Sequence, residues 1–218
     1  PRVATAAALS NAINPAGMAM VTAAVATLGE AAVAGFGAAT RVQTLALVPL
    51  LALSSGIGPV VGQNWGARRT GRARSSVRVT WMMCVGYGAA VGLVLLLFGQ
   101  TISGWIASGA EDAAISTTYL RIVGFSLFGY GVLVTGNAAL NARSKAVWSM
   151  GLSLSRISAV YLPLAWILVG VMGFTGIAIA AATANVAGAL ATLWATSRTG
   201  LWPLGIRAEP HGAPVAGE

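Results

Sequence analysis

Charge is what this sequence has least of. Only 8% of its 218 residues are charged, five are acidic, and there is one histidine and one cysteine. Eighteen charged residues cannot supply the polar shell that a soluble domain of this length needs, so a soluble globular fold is excluded. A single cysteine, Cys84, lying within an apolar run, rules out an internal disulfide or a thiolate metal framework and reads as a small buried hydrophobe. The one histidine, His211, lies near the end of the chain, and the acids are Glu30, Glu111, Asp112, Glu209 and Glu218. No pair of carboxylates, Ser/His pair or metal-ligand cluster can therefore be assembled within the apolar runs, and an enzyme is not expected. No cofactor is expected either. No charged segment followed by a cleavage site opens the sequence, so no signal peptide is expected, and a start at Pro1 in place of Met points to a piece of a longer protein.

What is present is apolar. Hydrophobic residues make up 56% of the chain and the mean hydropathy is +0.78. Six runs each approach or exceed the roughly 20 residues that carry a helix across a bilayer. They cover about 3–28, 33–62, 77–104, 115–140, 148–171 and 175–197, which predicts an all-α membrane protein with six transmembrane helices. The breaks fall at Gly29-Glu30, at the arginines from Arg68 to Arg78, at 108–112, at 141–145 and at 170–176. From 201 to 218 the chain turns Gly- and Pro-rich and is expected to be a disordered tail.

The basic residues order these runs. Five arginines (68, 69, 72, 74 and 78) stand within eleven residues, and with Arg2, Arg143, Lys145, Arg198 and Arg207 they make ten of the thirteen basic residues. All ten fall on one side of an alternating six-helix path, whereas the other side carries Glu30, Glu111 and Asp112. Lys/Arg excess marks the cytoplasmic side, so both ends of the chain are expected there, in the inner (cytoplasmic) membrane. The high pI therefore reads as membrane topology and not as nucleic-acid binding, for which no aromatic-basic platform exists. Membrane lipid is the expected surroundings.

Three arginines remain inside the spans. Arg121 and Arg156 lie within about two turns of a helix end and are read as snorkelling to the surface. Arg41 has two open readings, snorkelling outward or lining an aqueous cavity. Pro15, Pro49, Pro59 and Pro163 interrupt spans and predict bends. Gly58/Gly62 and Gly88/Gly92 are read as close helix packing. Amides are scattered through the interior at Asn11, Asn14, Gln43, Asn137, Asn141 and Asn185. They either bind helices to one another or line a weakly polar path, and Asn11, Asn14, Arg41, Gln43 and Asn137 are the candidate cavity residues.

The stretch from Arg41 to Ala67 ends in Gly62-Gln63-Asn64-Trp65-Gly66-Ala67. It resembles the eighth helix and following loop of the multidrug and toxic compound extrusion (MATE) family, where Gly62, Gln63, Gly66 and Ala67 match a Gly-Gln-x-x-Gly-Ala element. Tyr119-Leu120-Arg121-Ile122 is similar to the family's tenth helix, Leu162-Pro163-Leu164-Ala165 to its eleventh, and Gly173-Phe174-Thr175-Gly176-Ile177 to the entry into its twelfth. The resemblance covers about 3–200. It implies the C-terminal six-helix lobe of a twelve-helix transporter, with an N-terminal lobe as missing partner. It further implies a secondary antiporter that exports small organic, often cationic, compounds in exchange for H⁺ or Na⁺ by rocking the two lobes. Some members hold the coupling ion on carboxylates of this lobe. Here Asn11, Asn14 and Asn137 occupy those spans, and a neutral amide cannot exchange a proton near neutral pH. Coupling is thus expected to rest on the other lobe, with H⁺ preferred. A lipid-linked saccharide flippase, tied to a cavity-lining Arg41, and a non-transporting membrane scaffold are the alternatives.

Overall fold

Apolar runs punctuated by glycine and by charge become helices here because in hydrocarbon a helix satisfies its own backbone. The structure is a computed structural model and describes residues 17–201. Its helices are α1 (Gly17–Ala26), α2 (Glu30–Gly66), α3 (Thr70–Ile106), α4 (Ala110–Gly124), α5 (Leu127–Ala142), α6 (Ala146–Leu154), α7 (Leu162–Met172) and α8 (Phe174–Arg198). A π-helical segment, Ser155–Tyr161, joins α6 to α7. There are no strands among the described residues.

Four stretches are long and apolar enough to span a bilayer: α2, α3, α6 through α7, and α8. The bent pair α4–α5 supplies a fifth, and the expected first span is described only from Gly17. Asn11, Asn14 and Pro15 lie outside the described residues, as does the chain after Leu201. Leu201 itself, expected to begin a tail, is fully buried, and its N–H donates to Thr196 O at 3.0 Å.

Two spans differ from a uniform rod. The run expected as one helix over 115–140 is split at Phe125-Ser126, where α4 and α5 meet at 56°. No proline marks the break. Ser126 Oγ donates back to Val123 O at 2.7 Å, a local bond that competes with the helix ladder. The fifth span carries the π segment immediately before Pro163, and the Leu162 N–H reaches Ile157 O, five residues back. Proline crowds the preceding turn, and widening that turn relieves the clash. By contrast, α2 runs through Pro49 and Pro59 without interruption. Pro49 frees the carbonyl of Leu45, and Tyr87 Oη of α3 donates to the adjacent Ala46 O at 3.0 Å.

The arginine cluster is less of a loop than its charge suggested. Only Ala67, Arg68 and Arg69 separate α2 from α3, so Arg72, Arg74 and Arg78 ride on the first turns of α3. Arg68 takes φ +59° to reverse the chain, and Arg69 N–H closes on Asn64 O at 2.8 Å.

Both ends of the bundle are tied. At the basic end the Arg143 guanidinium stacks over the Trp65 ring, 3.5 Å from its centroid, and donates to Thr199 O. Arg74 Nε donates to Gly200 O at 3.0 Å. Burial, and then the neighbouring Arg74 cation, hold the Arg143 guanidinium below its ordinary pKa. The ends of α2, α5 and α8 and the start of α3 therefore share one face. At the acidic end Phe36, Tyr119 and Phe174 form an aromatic cluster with centroids 5.3 to 6.2 Å apart, joining α2, α4 and α8. Ser103 Oγ donates to Ser116 Oγ at 3.1 Å, closing α3 on α4.

Between the ends, glycine sets the spacing. A Cβ on Gly88 would stand 2.5 Å from Phe128 N, and one on Gly92 3.2 Å from Gly124 O, so α3 packs against the α4–α5 break backbone to backbone. Gly58 and Gly62 face α5 with room to spare, the nearest atoms being 3.9 and 3.8 Å away. Outward-facing side chains form an apolar belt, with Leu97 and Ile167 62% and 65% exposed, as lipid contact requires.

This packing predicts two outcomes. Gly88→Ala should destabilise the protein by about 1–3 kcal/mol, the cost of overpacking, whereas Gly58→Ala should change little; thermal unfolding in detergent distinguishes them. Arg143→Gln removes a cation–π contact worth about 0.5–2 kcal/mol and one tether on the segment after α8. Trypsin should then cleave after Arg198 faster than in the parent protein, with rates read by mass spectrometry.

Candidate functional site

The two irregular spans deliver polar side chains to the same depth, and α8 receives them. Ser126 sits at the α4–α5 break and Arg156 on the π segment. Asn185 is buried near the middle of α8. Arg156 Nη1 donates to Asn185 Oδ1 at 3.2 Å, Asn185 Nδ2 donates to Ser126 Oγ at 2.9 Å, and Ser126 passes the chain on to Val123 O. The two bonds to Asn185 fix which of its amide atoms is oxygen. Gly129 lets α5 approach α8 here, since a Cβ would stand 2.6 Å from Asn185 O.

An arginine at this depth costs a few kcal/mol or more unless it is solvated by the protein. Asn185 Oδ1 is one source of compensation. A second is the Tyr130 ring, whose centroid lies 5.4 Å from the guanidinium carbon. The stem of Arg156 runs past Gly188, where a Cβ would meet its Cδ at 3.1 Å.

Arg156 and Asn185 open onto a cavity of about 360 Å³. From α1 it takes Gly17 and Met18, and from α2 Thr40, Gln43, Thr44 and Leu47. Tyr119, Tyr130 and Tyr161 bring three phenols from α4, α5 and the π segment, while Ile157 and Ala181 complete an apolar side. Tyr119 Oη donates to Gln43 Oε1 at 3.1 Å. The lining thus holds one fixed positive charge, amides, phenols and apolar patches, and no carboxylate among the described residues. Those residues also contain no cluster of metal-ligand type. The described lining can bind through donors and ring faces, and it offers no acid with which to hold a cation or trade a proton.

The candidates named from sequence are placed differently from one another. Gln43 lines the cavity. Arg41, two positions away, is exposed and is not part of the lining. Residues two apart on a helix point about 200° apart, so Arg41 and Gln43 cannot share a face. Asn137 Nδ2 donates to Ser153 Oγ at 3.0 Å and joins α5 to α6; its Oδ1 is buried with no hydrogen-bond partner among the described residues. Asn11 and Asn14 lie outside the described residues. Gly62, Gln63, Gly66 and Ala67 lie at the basic end, where Ala67 N–H caps on Gln63 O at 3.0 Å and Gly62 packs near Ala142. This element shapes the α2–α3 turn beside Trp65, away from the cavity.

Arg121 is exposed, with its stem 3.7 Å from the Cβ position of Gly99 on α3. Arg156, read alike from sequence, turns inward instead. The sequence signal for it was Pro163, seven residues on, which predicts an irregular turn just where the arginine stands. The tyrosines were also passed over, though three of the chain's four line this one cavity.

Comparison with known proteins places this arrangement. The MatE family model matches residues 6–167. A curated relative named as a FAD transporter, from Shewanella oneidensis, is 27% identical over 90% of this chain and 43% of its own length. A probable multidrug resistance protein NorM from Thermotoga maritima is 24% identical, over 77% of this chain and 36% of its own length. The crystal structure of the Vibrio cholerae MATE transporter VcmN in its bent form superposes with a TM-score of 0.86 at 28% identity, covering 90% of this chain and 45% of that one. The chain thus spans less than half the length of these relatives, as one lobe of such a transporter would. By family match, by fold and by its apolar helices, this chain belongs to the MatE, or multidrug and toxic compound extrusion, family of membrane transporters.

Proposed function

We propose that the chain is the C-terminal lobe of a secondary exporter that moves small organic compounds by alternating access, exchanging them for H⁺ or Na⁺. The observation that carries this reading is the polar cavity built at membrane depth from a broken helix, a π segment and α8. Non-helical backbone is tolerated at that depth where it is buried in protein or lines a cavity. A scaffold needs no such cavity. The names of the relatives support cargo ranging from multidrug substrates to a nucleotide cofactor.

Coupling in this proposal belongs to an N-terminal lobe. The carboxylates Glu30, Glu111 and Asp112 stand at the first turns of α2 and α4, away from the cavity. We favour H⁺ as the coupling ion, and the basic end of the bundle as the cytoplasmic one. A flippase reading depends on Arg41 lining a cavity, and the positive charge on the cavity described above comes instead from Arg156 on another span.

The test is transport by the full-length protein in vesicles, with a cationic dye (ethidium) and an anionic one (fluorescein), under an imposed pH gradient or an imposed Na⁺ gradient. Efflux of at least one dye driven by the pH gradient is expected. Efflux driven by Na⁺ alone would overturn the choice of ion, and no movement of either dye under either gradient would overturn the exporter reading.

A further inference from the structure

A second hollow, of about 950 Å³, lies along the hairpin of α2 and α3, apart from the polar cavity. On α2 it is lined by Pro49, Ala52, Gly56, Val60 and Asn64. On α3 its lining includes Arg72, Ser75, Ser76, Val79, Met83 and Tyr87. Steps of three and four residues put each set on one face of its helix. The two helices run antiparallel, so the hollow is a furrow, with Asn64 and Arg72 at one end and Pro49 and Tyr87 at the other. At 1.5 Å per residue, the stretch from 49 to 64 measures about 22 Å.

Small residues cut the furrow. A Cβ on Gly56 would meet nothing within 4 Å, and Ala52 lies one turn away. The walls are apolar and open, with Val60, Val79 and Met83 exposed. Tyr87 Oη, donating to Ala46 O at 3.0 Å, bridges the two helices at the deep end.

Polarity changes along this length in one direction. Arg72 is exposed at the basic end, with Arg68 and Arg69 in the turn beside it. The hydroxyls of Ser75 and Ser76 follow, and beyond them the lining is apolar apart from Thr80 and the Tyr87 hydroxyl. Asn64 Nδ2 donates to Val60 O at 2.8 Å and Ser76 Oγ to Arg72 O at 2.9 Å, so both side chains lie back along their own helices. Among the described residues the carboxylates, Glu30, Glu111 and Asp112, stand at the first turns of α2 and α4, the opposite end of the bundle. The mouth of the furrow is therefore positive where the bilayer surface lies, and its length is greasy. A phospholipid with net negative charge carries the complementary order of parts. One leaflet with its headgroups is also about 20–22 Å deep.

We propose that this furrow holds an anionic phospholipid of the leaflet at the basic end, with its phosphate on Arg72 and Ser75 and one acyl chain laid along Val60, Gly56 and Met83. Basic pockets between membrane helices recognise lipid headgroups in this way. The site is separate from the polar cavity and does not depend on the exporter reading.

Phosphatidylglycerol and phosphatidylcholine, each with a photoactivatable diazirine on one acyl chain, test this on the full-length protein in phosphatidylcholine vesicles. Mass spectrometry after irradiation reads the label on Val79 and Met83. Phosphatidylglycerol should label them about fivefold more than phosphatidylcholine, the preference that one arginine adds near an anionic group. Arg72→Gln should bring the two lipids within twofold of each other. Arg78→Gln removes the same charge about 120° away around α3 and should leave the preference intact. Gly56→Leu fills the furrow and should lower labelling by both lipids. Gly86→Leu, which also enters open space but outside the furrow, should not. Equal labelling by the two lipids, or the same loss from Arg78→Gln as from Arg72→Gln, would overturn the proposal, because the arginines would then act only as a diffuse field. Absence of label from either lipid would show that another part of the full-length protein covers the furrow, and would overturn it as well.

Discussion

Hydrocarbon does not forgive an unsatisfied polar group, and the architecture of this lobe is a response to that. An unpaired backbone amide or carbonyl in the bilayer costs several kcal/mol, and a charged side chain a few or more. Regular helices meet the backbone requirement without help. Where the chain departs from regularity it supplies substitutes. Ser126 serves the carbonyl of Val123 at the α4–α5 break, Tyr87 serves Ala46 near Pro49, and a five-residue bond closes the turn before Pro163. The Arg156–Asn185–Ser126 chain then joins two of these repairs into one network. The polar cavity is where the irregular stretches of two spans come together, and their polar groups are what hold an arginine at membrane depth.

The same constraint decided what could be read in advance. The weave of helices was legible because arginines cannot be dragged through lipid, and the contact of Arg143 with Trp65, with Arg74 close by, places those basic residues together. Four-residue glycine spacing was only half informative, since Gly88 and Gly92 admit a neighbouring backbone whereas Gly58 and Gly62, spaced alike, do not. Helix ends were less so, since an apolar run reports hydrocarbon thickness and not helix length. Thr70 to Ser76 is helical although Arg72, Arg74 and Arg78 crowd the start of α3, because charge outside the bilayer does not stop a helix. The α4–α5 break was invisible for a different reason. Its causes are a serine bonding to its own backbone and glycines at 88, 92 and 129 that admit neighbouring helices, and these matter only once the helices are side by side.

Arg41 and Arg156 show where counting depth along a span falls short. Both lie inside apolar runs, and depth along the run does not say which way either one faces. Facing decides instead. Arg41 is about 200° from Gln43 on an unbroken helix, so where Gln43 faces the described cavity Arg41 faces away from it, on a surface this chain leaves open. Arg156 stands on a π segment, and one extra residue in a turn rotates the rest of the helix by roughly 100°. The facing of Arg156 is thus set on an irregular turn, which its distance from the end of the run does not report.

The ties at the basic end and the network at the cavity answer two different solvents. Arg143 over Trp65 joins the end of α2 to the end of α5, and Arg74 on Gly200 joins the start of α3 to the segment after α8, so four helix ends meet where water competes for every guanidinium. There the ring face and the backbone carbonyl add to what water already supplies, and each contact is worth little alone. Between the ends, the Arg156–Asn185–Ser126 chain links the π segment, α8 and the α4–α5 break among apolar neighbours, where losing a partner exposes a polar group with no water to take its place. The same residue type is therefore a replaceable tie at one depth and a structural commitment at the other.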